Sequence, residues 1–251
     1  MPHLRSVPKT VAIALAICGA LPVCGQAQAI VLDSGEYITE LGWGVLTISH
    51  SGQTTHFSLQ AMGPNAHVCG LGGDIQGDRA ILATEDPFTN SPGPSCVVTF
   101  QVNAEGIAVS DDLDQEACRY FCGMRAHFEG EYLRPEAGCT GEERRSTRER
   151  FRQLYASKSY AAAADTLETL LARCAKTLNQ EAGWIQNDLA VTQYHLGRLS
   201  DCQKSLASLA EDAAKTDEEL RQAFLPSDFD AYFPILQATR HNLRLCSQYA
   251  P

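Results

Sequence analysis

The sequence has no lysine between residues 30 and 142 and little arginine there. This segment holds 16 Asp and Glu residues against 4 Arg, a net charge of −12, whereas residues 143–251 hold 14 acidic and 14 basic residues and sum to zero. Such an acidic surface repels nucleic acid and anionic lipid head groups and attracts cations. We therefore expect no nucleic-acid ligand and favour a cationic protein partner. Acidity that merely keeps the protein soluble is the simpler alternative.

The sequence also lacks a hydrophobic run of bilayer length. A transmembrane helix needs about 20 apolar residues, and the apolar run at residues 11–23 is shorter. Basic residues precede this run and the small-residue pattern Ala27-Gln28-Ala29 follows it, which is typical of a cleaved signal peptide over residues 1–29. We expect a soluble protein without a membrane span, exported to the periplasm or secreted after cleavage near Ala29.

Motifs of common enzyme classes are missing as well. The chain contains no GxSxG, no HExxH, no GxxxxGK[ST] and no complete GxGxxG. We therefore expect a non-enzymatic protein without cofactor or metal. One alternative is a cell-envelope hydrolase that uses paired carboxylates, with Asp74 and Asp78 as candidates, because such a pair has no sequence motif. Another is an envelope assembly factor.

Cysteine, in contrast, is plentiful. Eight of the ten cysteines follow residue 29, and an even number in an oxidising compartment predicts four disulfides. The sequence does not fix their connectivity. We predict the pairs Cys69–Cys96, Cys118–Cys122, Cys139–Cys174 and Cys202–Cys246. A zinc site is not expected, because the close pair at 118 and 122 has three intervening residues and no second cluster.

Composition changes between the two halves of the exported part. Residues 30–142 are rich in Gly, Thr, Ser and Val with short alternating runs, whereas residues 143–251 are rich in helix formers. We predict an α+β fold of two domains, a small antiparallel β barrel or sandwich at 30–142 and an α-helical domain at 143–251. The predicted strands are 44–50, 55–59, 67–71, 79–84, 96–102, 107–110 and 125–132.

An acidic run in the predicted β domain is a candidate binding loop. Residues 111–116 read Asp-Asp-Leu-Asp-Gln-Glu. The run lacks the Gly and the bidentate Glu of an EF-hand loop, so calcium is not expected. The candidate contacts for a basic partner are Asp111, Asp112, Asp114 and Glu116. A solvated loop without a ligand is the alternative.

Capping boxes support three of the predicted helices. Residues 146–149, 200–203 and 216–219 each place a hydroxyl three residues before a carboxylate or an amide, and apolar residues recur at helical spacing between them. The predicted helices are 144–157, 159–175, 182–197, 200–215, 217–223 and 228–248.

A weak repeat relates two helix pairs. Residues 154–163 align with residues 194–202 at an offset of about 39, and Gly197 occupies the turn of the second unit. Over residues 146–215 the pattern resembles the tetratricopeptide repeat, with Lys158 in place of the turn glycine in the first unit.

The resemblance implies protein or peptide binding on a concave helical face. The candidate contacts are Trp184, Asn187, Asp188, Gln193 and His195, all on the third predicted helix. Each also has a structural alternative, for example Trp184 as a core residue and Asn187 as a bridge between helices.

The predicted β domain is loosely similar to small exported lysozyme inhibitors of bacteria. Those proteins are disulfide-bearing β barrels that offer acidic loops to a basic enzyme, and here the similarity covers architecture and charge alone. The favoured function is thus an exported protein-binding module, an inhibitor or an immunity-type protein. The oligomeric state is not predicted.

Overall fold

The structure is a computed structural model that describes residues 31–85, 91–111 and 116–247. The predicted signal peptide lies outside the described residues, and so do the candidates Asp112 and Asp114. Within the described ranges an antiparallel sheet precedes a helical region, which confirms the predicted α+β layout. No helix in these ranges is long and apolar enough to cross a membrane.

In the part of the chain that the structure describes, the sheet has eight strands. They are β1 (Gly35–Thr39), β2 (Gly44–Ser51), β3 (Thr54–Met62), β4 (Val68–Ile75), β5 (Arg79–Leu82), β6 (Cys96–Val102), β7 (Gly106–Asp111) and β8 (Gly130–Leu133). Their order in the sheet is β4-β3-β2-β1-β8-β7-β6-β5, and every pairing is antiparallel. Along β3 the alternate residues Phe57, Leu59 and Ala61 are buried, as the two-residue period of a strand requires.

The predicted hairpin is confirmed, whereas one strand was not predicted and one predicted strand starts too early. β2 and β3 pair from Ser51 opposite Thr54, across a two-residue turn in which Gly52 has a φ of 62°. β1 was missed because Tyr37, Ile38 and Thr39 are buried in succession, so the strand does not show the alternation that indicates a half-buried strand. The predicted strand at 125–132 begins only at Gly130, because residues 123–126 form a turn in which Ala126 N donates to Gly123 O at 2.9 Å.

The sheet curls into a nearly closed barrel with a seam between β4 and β5. One reciprocal pair of hydrogen bonds joins them at their turn, from Gln76 N to Arg79 O (2.7 Å) and from Arg79 N to Gln76 O (3.3 Å). Among the described residues no hydrogen-bonded ladder continues this pair. The Leu82 side chain fills the space above Gly73 instead. Side chains and disulfides therefore close this part of the barrel.

Two disulfides hold the 3-10 helix Glu116–Phe121 beside the seam. Cys69 of β4 pairs with Cys122, and Cys96 of β6 pairs with Cys118. The predicted pairs Cys69–Cys96 and Cys118–Cys122 are therefore wrong. The reason is the strand order: β4 and β6 are not neighbours in the sheet, and Cys118 in the short helix and Cys122 just after it supply one cysteine to each strand.

The barrel core is aromatic and aliphatic. Phe57 and Phe100 meet edge to face, with ring centroids 5.0 Å apart. Tyr132 is fully buried, and its hydroxyl donates to the carbonyl oxygen of Phe128 at 2.7 Å. Burial raises the pKa of Tyr132 far above its usual value. A polar group at the centre of the core is thus satisfied by the backbone.

Seven α-helices follow within the described ranges. They are α1 (Gly141–Ala156), α2 (Tyr160–Arg173), α3 (Glu181–His195), α4 (Leu199–Ser205), α5 (Ala210–Ala214), α6 (Asp217–Ala223) and α7 (Pro226–Ser247), with a 3-10 turn at Ala207–Leu209. Helix α2 packs between α1 and α3, and α3 also contacts α4 and α7. The predicted disulfides Cys139–Cys174 and Cys202–Cys246 are confirmed.

One of the three predicted capping boxes starts a helix. Thr216 and Glu219 cap α6 as predicted. Helix α1 begins earlier than predicted, because Thr140 and Glu143 form its capping box, so residues 146–149 lie inside the helix. Ser200 lies in the first turn of α4, which begins at Leu199. The predicted helix 200–215 is interrupted by the 3-10 turn between α4 and α5.

Candidate functional site

A cleft of about 740 Å³ opens at one end of the barrel. Its lining includes the carboxylates Asp111, Glu116 and Glu129, the guanidinium of Arg119 and the imidazole of His127. The three carboxylates and the one guanidinium together carry a charge of −2. Asp111 and Glu116 were sequence candidates, whereas the other three were not.

Strand pairing brings the carboxylates together. β7 and β8 are antiparallel with Val109 opposite Gly130, so the end of β7 and the start of β8 lie at the same end of the barrel. Asp111 ends β7, and Glu129 directly precedes β8. Two carboxylates that are 18 residues apart in the sequence therefore line one cleft.

The third carboxylate is placed by covalent bonds. Glu116 begins the 3-10 helix that also carries Cys118 and is followed by Cys122. Disulfides from β4 and β6 hold both cysteines, and both line the cleft. This wall of the cleft is consequently anchored to two strands, which limits its freedom to move when a ligand enters.

Local contacts orient the remaining polar groups. The exposed ring of His127 stacks on Trp43, with centroids 4.7 Å apart and an interplanar angle of 27°. Glu129 Oε2 accepts a hydrogen bond from the backbone N of Phe128 at 3.1 Å. Arg119 Nη2 donates to the carbonyl oxygen of Met124 at 3.5 Å. These contacts orient His127, Glu129 and Arg119 at the cleft.

The helical candidates fall into different environments. Asn187 is buried between α3 and α7, and its Nδ2 donates to Gly183 O at 2.8 Å and to Thr239 Oγ1 at 3.0 Å. Its Oδ1 accepts from Asn242 Nδ2 at 2.9 Å. Asn187 therefore bridges two helices and has little capacity left for a ligand.

Asp188 bridges α3 to α1. Arg148 Nη2 donates to Asp188 Oδ2 at 2.9 Å, and Glu181 lies on the other side of the same guanidinium at 3.7 Å. Burial raises the pKa of Asp188 above its ordinary value, while Arg148 acts in the opposite direction. The pair holds the first and third helices side by side.

Gln193 and His195 have intramolecular partners as well. Gln193 is buried, donates to Glu168 Oε1 at 3.2 Å and accepts from Ser205 Oγ at 2.8 Å. His195 stacks on Tyr160 with centroids 4.7 Å apart, and its Nε2 lies 3.0 Å from the Tyr155 hydroxyl. His195 is nonetheless exposed, and so is Trp184 at 38%. These two side chains remain accessible on α3.

The carboxylates of the hydrolase alternative lie on the outside of the barrel. Asp74 Oδ1 is 3.0 Å from His56 Nδ1, and Asp78 Oδ1 is 3.6 Å from Arg79 Nε. Both carboxylates are more than half exposed. Each lies beside a basic side chain, and neither carboxylate lines the cleft at the end of the barrel. Among the described residues no group of three or more His, Cys, Asp or Glu side chains is arranged to hold a metal ion.

Glu129 and His127 were missed at the sequence level because they lay within a predicted strand. Only the pairing of β7 with β8 shows that they share a cleft with Asp111. Comparison of the chain with protein-family models, with curated proteins and with solved structures found no match. Any functional conclusion therefore depends on the geometry and charge of the molecule itself.

Proposed function

We propose that the protein is an exported, non-enzymatic binding module whose acidic cleft receives a basic side chain of a partner protein. The observation that carries this proposal is the convergence of Asp111, Glu116 and Glu129, from three separate chain segments, on one cleft. Three carboxylates around one cleft indicate a binding site for a cation more strongly than a run of acidic residues in the sequence does, because carboxylates that surround one site act on the same cation.

The charge distribution of the chain supports a cationic partner. All of the net negative charge after residue 29 belongs to residues 30–142, the segment that forms the barrel. A field of one sign speeds the encounter with an oppositely charged protein and selects against anionic ones. Partner binding of this kind is compatible with inhibition of a basic enzyme or with an immunity-type role.

The helical region adds a second element to the proposal. We propose that α1 to α4 form two tetratricopeptide-like pairs and that α7 stacks beside them. The Arg148–Asp188 ion pair joins α1 to α3, and the Asn187–Asn242 hydrogen bond joins α3 to α7, so these three helices form a row. Helices α2 and α4 each pack on α3. An experimental structure with α2 and α4 on opposite sides of this row would contradict the pairing.

A charge-neutralisation experiment tests the cleft. The probe is a peptide in which arginine alternates with serine, titrated into the chain without its predicted signal peptide at low and high salt. The double variant Glu116→Gln/Glu129→Gln should bind about tenfold more weakly and with a smaller salt dependence. The matched control, Glu40→Gln/Asp78→Asn, removes the same charge from exposed positions elsewhere on the barrel.

Equal losses in the two double variants would mean that the bulk charge of the domain, rather than the cleft, attracts the peptide. A basic lysozyme is the second probe, because the exported lysozyme inhibitors are similar in charge and architecture. If the protein inhibits it, the cleft variant should lose inhibition and the control variant should keep it.

A further inference from the structure

An exposed apolar patch adjoins the acidic cleft. Its most exposed members are Met62 (59%), Val68 (55%) and Met124 (80%). Met62 and Met124 are the only methionines after the initiator residue. Single exposed apolar side chains are common, but neighbouring ones indicate a contact surface.

Backbone pairing places the three side chains together. Met62 of β3 lies directly opposite Val68 of β4 on the outer face of the sheet. Gly123 N donates to Val68 O at 2.8 Å, which brings the next residue, Met124, to the same edge. Beside them a groove of about 400 Å³ runs over β2, β3 and β4, and none of its lining residues is ionisable.

The apolar patch and the acidic cleft share a wall. Cys122 and Gly123 line the cleft, and Met124 follows them directly on the patch side. The Cys69–Cys122 disulfide joins the groove lining to the cleft lining, and Arg119 of the cleft donates to the Met124 carbonyl. A ligand seated in the cleft therefore lies beside the patch.

We infer that this combined surface docks a basic segment of the partner protein in which a large apolar side chain neighbours an arginine or lysine. The inference rests on the proposed function and specifies its partner. Interface centres are poor in charge and rich in methionine, whose flexible thioether adapts to different shapes, while charges at the rim steer the encounter. The cleft attracts the basic side chain electrostatically. The patch adds apolar contact, whose contribution to binding salt does not screen.

Two peptides of equal length and charge test the inference, one alternating arginine with leucine and the other arginine with serine. Isothermal titration calorimetry with the unaltered protein should show about tenfold tighter binding of the leucine peptide. The variant Val68→Thr/Met124→Ser should bring the two affinities within about twofold, without changing the salt dependence that they share. Ile81→Thr, at another exposed apolar position on β5, is the matched control and should keep the preference.

The outcomes separate the inference from the proposed function. If the serine peptide binds through the cleft but leucine adds nothing, or if the preference persists in Val68→Thr/Met124→Ser, the patch has no such role. If neither peptide binds at low salt, the proposed function itself fails. Sedimentation velocity of the protein alone is the remaining check: a dimer that the same variant abolishes would make the patch a contact between copies and overturn the inference.

Discussion

Asp228, at the start of α7, accepts the backbone N–H of Asn65 with both carboxylate oxygens, at 2.9 and 3.0 Å. In return Asn65 Oδ1 accepts the backbone N–H of Ser227 at 3.0 Å. The two residues are 163 positions apart. They form a reciprocal capping arrangement between the barrel and the helical region, in which a turn of the barrel caps a helix and the helix caps the turn. This contact anchors α7 to the end of the barrel near the apolar patch.

Removing the Asn65 cap should destabilise the protein. Asn65 has a φ of 58°, a region that disfavours other side chains. Asn65→Ala loses the cap and strains the turn, so its free energy of unfolding in urea should fall by about 2 kcal/mol. Asn65→Gly loses the cap alone and should be about 1 kcal/mol more stable than the alanine variant. Equal losses for both would show that the backbone conformation carries no cost.

The disulfides beside the barrel seam can be assigned by trypsin digestion without reduction. Cleavage after Arg79, Arg119 and Arg125 places Cys96 and Cys118 in one peptide, 80–119. Mass spectrometry should find that peptide with an internal bond and peptide 120–125 joined to the one that ends at Arg79. A bond between peptides 80–119 and 120–125 would contradict this connectivity. The variant Cys69→Ser/Cys122→Ser should lose about 2–4 kcal/mol of stability.

Truncation of Asn187 should destabilise the protein more than truncation of Trp184. Asn187→Ala removes three buried hydrogen bonds, those with Gly183 O, Thr239 Oγ1 and Asn242 Nδ2, and should cost about 2–3 kcal/mol. Trp184→Ala removes a side chain that is 38% exposed and makes no such buried hydrogen bonds, so it should lose less unfolding free energy than Asn187→Ala. Thermal and urea unfolding of both variants measure this difference. A larger loss for Trp184→Ala would place that side chain in the core.

Stability should fall in alkaline solution. Burial, followed by the neighbouring Asp212 carboxylate, raises the pKa of Tyr232 from 10.0 to about 12. The folded state therefore holds the phenolic proton more tightly than the unfolded state, so its stabilising effect is complete below pH 10 and is lost as the pH rises towards 12. Tyr232→Phe should flatten the fall in unfolding free energy over this range. Tyr120→Phe, at a side chain that is 56% exposed, is the control and should follow the unaltered protein.

Local patterns predicted much of the fold. The hairpin of β2 and β3 followed from alternation around a short polar turn, and the helices followed from apolar spacing and composition. The start of α1 was predicted too late, because several hydroxyl-to-carboxylate pairs lie close together and only the Thr140–Glu143 pair has the backbone geometry of a cap. Long-range strand and disulfide pairings were harder to predict, since neighbours in the sheet need not be neighbours in the chain.

The sequence by itself determined the separation of charge, the α+β composition and the number of cysteines after residue 29, because these depend only on which residues are present and at what spacing. The tertiary structure decided which groups meet. It paired Cys69 with Cys122 because β5 separates β4 from β6, and it used Asn187 as a helix bridge because α7 packs on α3. It brought Glu129 beside Asp111 because the end of β7 and the start of β8 lie at the same end of the barrel. Contacts of this kind arise from packing among distant segments, which no local pattern records.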